Sequence, residues 1–84
     1  MSAVMVSNTE METVFVRLLD EGTDVMRPVQ AERIRPEIFR LFEPADYDPE
    51  YEKWEFVPGS LVRCEIRHIN NEVIPVVVEM VEPV

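Results

Sequence analysis

The stretch from Leu61 to Val81, "LVRCEIRHINNEVIPVVVEMV", constrains this chain more than any other. It reads as two strands around Asn70-Asn71. Val62, Cys64, Ile66 and His68 fall on one face, and Arg63, Glu65 and Arg67 on the other, the alternation of a half-buried strand. In the second strand Ile74, Val76, Val78 and Met80 form an apolar face. Two clues to its register conflict. Asn-Asn suits a two-residue type I′ turn, which pairs Ile69 with Glu72 but sets Val76 against Glu65 and Val78 against Arg63. A three-residue loop pairs Ile69 with Val73, aligns the two apolar faces and sets Arg63 against Glu79. A slip of one residue forfeits several kcal/mol, at roughly 1.5–3 kcal/mol per large buried side chain. Burial outweighs turn preference, so the three-residue loop is expected.

The rest of the chain repeats short extended runs. "TVFVRLL" from Thr13 puts Val14, Val16 and Leu18 on one face. "DEGTD" interrupts it with turn residues. "VMRPVQAER" resumes with Val25, Val29 and Ala31 on one face, and Pro28 denies that strand one ladder donor. Matching the apolar faces sets Asp20 against Val25, Leu18 against Arg27, Val16 against Val29 and Val14 against Ala31, with a four-residue loop at residues 21–24. Arg27 then shares a side with the valines and must snorkel to water or find a carboxylate; Asp20 and Asp24 are the nearest in sequence.

Residues 35–44, "RPEIFRLFEP", suit either a short helix opened by Pro36 or a strand, and a strand is expected. Trp54 and Phe56 point one way as core residues. "VPGS" at residues 57–60 has the Pro-Gly centre of a type II turn, with Gly59 at positive φ. Short strands without a βαβ rhythm predict an all-β fold, an antiparallel meander of about five strands. At 84 residues, curling into a small SH3-like barrel protects the edges. The expected organisation is a loose N-terminal tail over residues 1–10, then one small domain over 11–84 with an acidic loop at 43–53.

Charge narrows the partners. The net charge is −9, and residues 43–56 hold six acids against Lys53. That field repels phosphate backbones and anionic lipid and attracts basic proteins. No apolar run is long enough for a membrane span, and the start reads as no secretory signal. One cysteine, Cys64, excludes an internal disulfide and fits a reducing cytoplasm.

Two motifs extend the picture. "VFVRLLDEGTDVMRPVQAERI" and "WEFVPGSLVRCE" resemble a family of small bacterial proteins of unknown function. Its pattern runs V-x-V-x-L-L-[DN]-E-G-T-x-V-x-R-P-V and then W-E-F-x-P-G-x-x-V-x-C. The resemblance spans residues 13–67. The chain departs from it at Met26, where the family favours an aromatic, and at "RIRPEIF", where a glycine-containing turn is usual. The resemblance implies a bacterial source and carries over no catalytic residue.

Chemistry finds few footholds. Cys64 and His68 share one strand about 13 Å apart, too far for a hydrogen-bonded pair, and both are expected on the core face. One Cys and one His make no zinc set. Asp46, Asp48 and Glu50 alternate like calcium ligands, but the glycine and terminal glutamate of such a loop are missing. No enzyme, cofactor or metal is expected. The expected function is binding a basic protein partner through Asp46, Tyr47, Asp48, Glu50, Tyr51 and Glu52, aromatics anchoring while acids steer. An inhibitor or nucleic-acid mimic filling a basic site is the alternative. Nucleic-acid binding through a patch at Arg33, Arg35 and Arg40 is the minor one, and self-association stays open.

Overall fold

The structure, a computed structural model, describes residues 11–21 and 25–81. Its strands are β1 (Met11–Leu19), β2 (Met26–Arg35), β3 (Ile38–Leu41), β4 (Lys53–Trp54), β5 (Leu61–Ile69) and β6 (Glu72–Met80). The ambiguous residues 35–44 give a turn at Pro36-Glu37 and then strand β3.

Strands β1, β2, β3, β5 and β6 hydrogen-bond in that order and β6 returns to β1, closing a small β-barrel. An odd ring of up-and-down strands must contain one parallel pair. Here it is β1 with β6, at Phe15 and Val76. The two-residue β4 caps the end of β1, with Leu18 opposite Trp54. Closure removes most free edges, the recurrent liability of a small sheet.

The core draws on Val14 and Val16, Val29 and Ala31, Trp54, Val62 and Cys64, as expected. It also draws on Phe39 and Leu41, whose face the sequence leaves open, and on Val77, which alternation places on the opposite face of its strand. The inward face of β2 reads Arg27, Val29, Ala31, Arg33. The two small residues fill the centre, and each arginine closes one end of the barrel.

The register of β1 and β2 differs from expectation by two residues. Val14 faces Val29 and Val16 faces Arg27. Leu18 N donates to Val25 O at 2.8 Å, leaving residues 19–24 as the connection rather than four. A two-residue slip preserves which side chains face inward, so the apolar pattern cannot detect it. Tertiary partners decide instead: β4 claims Leu18 and Leu19. Residues 22–24 of the expected four-residue loop, Gly22 among them, lie outside the described residues.

The β5–β6 hairpin satisfies both conflicting clues. Near the turn Ile69 faces Glu72, and Asn70 and Asn71 have φ of 52° and 67°, the left-handed pair of a type I′ turn. The three-residue loop is thus corrected. Beyond Cys64, which faces Val77, the ladder shifts, so that Arg63 faces Glu79 and Val62 faces Met80, the pairs expected of the three-residue loop, although Met80 is more than half exposed. Val78 is the extra residue of a β-bulge. The bulge absorbs the one-residue conflict, and Val76 and Val77 are buried in succession.

The outer half of this hairpin also departs from expectation. Ile66 is 62% exposed and Val73 60%, and His68 is exposed rather than core. Strand β3 starts at Ile38, and its pairing with β5 stops near Cys64, whose N donates to Glu37 O at 2.9 Å. Past that point the inward face of β5 has no opposite wall.

The type II turn forms as expected. Gly59 has φ 90°, and Ser60 N donates to Val57 O at 3.1 Å.

Candidate interaction surface

The acidic loop is built from two turns. Tyr47 N donates to Pro44 O at 3.1 Å. The second turn is organised by Asp48: its carbonyl accepts from Tyr51 N and Glu52 N, and its side chain accepts from Glu50 N at 2.9 Å. An Asp that binds the backbone two residues on is a standard device for starting a turn. Two prolines and dense like charge therefore yield a defined loop.

Arg27 fixes this loop to the barrel. It donates to Glu52 Oε1, and to Asp46 Oδ1 at 3.1 Å. Its guanidinium also lies 5.9 Å from the centroid of the Trp54 ring. Trp54 Nε1 donates to the same Glu52 oxygen at 2.9 Å, and Tyr47 meets the Trp54 ring edge-on, with centroids 5.1 Å apart. Each aromatic thus has an apolar contact and, for Trp54, a satisfied polar tip.

The expected pairing of Arg27 with Asp20 is corrected. Asp20 is exposed at the end of β1 with φ 63°, while Asp24 lies outside the described residues. With Arg27 opposite Val16, the guanidinium reaches the loop from residues 43–53, and carboxylates distant in sequence take it.

The cluster shifts its own protonation. Trp54 and then Arg27 hold the Glu52 carboxyl below its ordinary range, and Arg27 does the same for Asp46. Two carboxylates meet one guanidinium, so the cluster keeps a negative surplus.

The six residues expected to form one interaction surface therefore divide. Asp46, Tyr47 and Glu52 turn toward Arg27 and Trp54 and hold the loop. Asp48 is half-buried and shapes the second turn. Glu50 and Tyr51 point to solvent, Tyr51 at 85% exposure. Glu43, Glu55 and Glu21 are exposed at the same end of the barrel.

At the opposite mouth Arg33 grips Glu12 through two nitrogens, one at 2.7 Å, donates to Pro36 O, and lies 4.8 Å from the Phe39 ring centroid. Arg33 is thereby engaged at the barrel mouth and half-buried, whereas Arg35 and Arg40 are exposed. Cys64 sits behind this ion pair, 6% exposed, and burial pushes its thiol up to about 11. Among the described residues no group of His, Cys, Asp and Glu is arranged to hold a metal, and no helix is long and apolar enough to cross a membrane.

Sequence reasoning missed the central role of Arg27 in this loop. The available signal was an arginine on an apolar face and an acidic run with no other obvious counter-charge. It also missed Phe42, exposed beside Pro44 where the loop leaves the barrel. Compared with family models, curated proteins and solved structures, the chain matches none.

Proposed function

We propose that this chain is a non-enzymatic, cytoplasmic protein-interaction module that docks a basic partner protein on its acidic end. The observation that carries this reading is Tyr51, 85% exposed on a loop whose neighbours are tied down by Arg27 and Trp54. A large aromatic left in water on an ordered platform is a ready interface anchor. The surrounding carboxylates steer cationic surfaces toward it, and a preformed loop loses little entropy on docking.

The test is capture from native bacterial lysate by three forms: wild type, the Tyr51→Ser/Glu50→Gln double variant, and Val73→Ser on the distant hairpin. A basic protein should be retained by wild type and Val73→Ser, be lost from the double variant, and elute at about 0.5 M salt as charges are screened. Capture indifferent to Tyr51 and Glu50, or capture of nucleic acid alone, overturns the reading.

A further inference from the structure

Outward-facing positions of a small barrel are ordinarily polar, because they meet water. On β1 and β2 those positions include Met11, Thr13, Pro28 and Gln30. Met11 on β1 is exposed, and so is Phe42, which lies on the far side of β2 beside Gln30. Phe42 is held there by its own backbone, whose N donates to Gln30 O at 3.0 Å. Pro44 follows and begins the acidic loop. Between them lies an open groove of about 540 Å³, walled by Met11, Pro28, Phe42 and Pro44.

The chemistry of the groove is selective. Its polar floor is partly engaged already, since Gln30 Nε2 donates to Thr13 Oγ1 at 3.0 Å. The walls thus offer apolar contact and little demand for a polar ligand atom. One end is different: Glu43 and Arg27 line it. Arg27 is already engaged by Asp46 and Glu52, so the charge presented at that end is negative. The β1 and β2 backbones are paired with each other along this stretch, which rules out strand addition here.

We propose that this groove binds an extended segment of the basic partner, seating a bulky apolar side chain between Met11, Pro28 and Phe42 and an adjacent Lys or Arg against Glu43. The inference rests on the acidic end being the docking surface and adds its specificity: charge draws the partner in, and the apolar anchor selects the segment. Charge complementarity favours this occupant over a second copy of the chain, which also carries net charge −9 and would bring like charge to the same rim.

Three labelled peptides test it by fluorescence anisotropy against the full chain: RKLFRK, the anchor-free RKSSRK and the charge-inverted EELFEE. RKLFRK should bind about tenfold more tightly than either of the others. Phe42→Ser and the surface variant Glu43→Lys should each weaken RKLFRK about fivefold or more, while Val73→Ser leaves it unchanged. If RKSSRK binds as well as RKLFRK, the groove is not used and the acidic end alone stands. If EELFEE binds as well as RKLFRK, both the groove's charge selection and the basic-partner reading fall. Concentration-dependent dimerisation abolished by Phe42→Ser would assign the groove to a second copy and overturn the proposal.

Discussion

Arg27 shows what one residue does when it interrupts an apolar face. Its side chain is about one-fifth exposed, and its single positive charge is shared between the Asp46 and Glu52 carboxylates, the second of which stands against Trp54. Arg27→Met should leave Glu52 partly buried without its cation and cost about 1–3 kcal/mol in urea unfolding. Glu52→Gln should cost less, because an amide oxygen still accepts from Trp54 Nε1. The same contacts set a pH dependence. Glu52, Asp46 and Glu12 all have folded pKa values below their unfolded ones. Each therefore stabilises the fold above its unfolded pKa and loses that contribution as pH falls below it. Unfolding free energy should decline as pH drops below about 4.5, the ordinary glutamate value, and Glu52→Gln should shallow that decline. Cys64 offers a separate check at this scale. With its thiol raised from 9.0 to about 11, its thiolate is about a hundredfold scarcer at pH 8 than that of an ordinary cysteine. Native protein should react with a thiol reagent at least that much more slowly than unfolded protein. That Arg27 had either to snorkel or to find a carboxylate was legible in the sequence. Which carboxylate was not, because the register fixing its reach leaves the apolar pattern unchanged.

At the scale of the element, the β5–β6 hairpin carries the clearest signal and the most instructive departure. Its strands, its Asn-Asn turn and its Arg63–Glu79 pairing are all legible in the sequence, but they imply two registers. The bulge at Val78 reconciles them, and nothing in a run of three valines marks which one is extra. The turn residues are testable. Asn71→Gly should be tolerated or slightly stabilising, since glycine adopts positive φ without penalty. Replacing both Asn70 and Asn71 with alanine should cost about 1–2 kcal/mol, because both positions require left-handed backbone. Beyond the barrel, alternation extends the core face to Ile66 and His68, yet β3 ends too early to cover them. Strand length on one side of a sheet limits burial on the other, and periodicity within a single strand does not report it. Backbone groups alternate too. Cys64 N points to the β3 side, so the amides of Ile66 and His68 point there as well, where β3 supplies no ladder. Hydrogen exchange should find these two amides far less protected than those of Arg63 and Glu65, which face β6. Equal protection would mean that the free edge is covered.

At the scale of the whole molecule, charge is distributed against stability. Residues 43–56 place six acids and one lysine on one end of a small barrel, and among the described residues Arg27 pairs with two of them, with Arg17 at 4.0 Å from Glu55. A domain of this size has a thin margin, so self-repulsion there matters. If the acids served only solubility, they would be spread over the surface, where repulsion is least. Concentration beside an exposed tyrosine and an apolar groove is instead what the proposed docking of a cationic partner requires. Such a surface should be improvable in isolation. Glu43→Gln/Glu50→Gln should raise stability by up to about 0.5 kcal/mol at low salt, because exposed like charges are relieved while the Arg27 cluster is untouched. Raising salt from about 0.05 to 0.5 M should stabilise wild type more than this variant, since screening acts on the exposed repulsion before the partly buried pairs. Thermal melts across that range measure both effects. The same variant should lose affinity for a basic peptide as it gains stability, and that opposition separates a functional charge cluster from an incidental one. A variant that was both less stable and equally able to bind would show the acids at residues 43 and 50 to be supporting the fold.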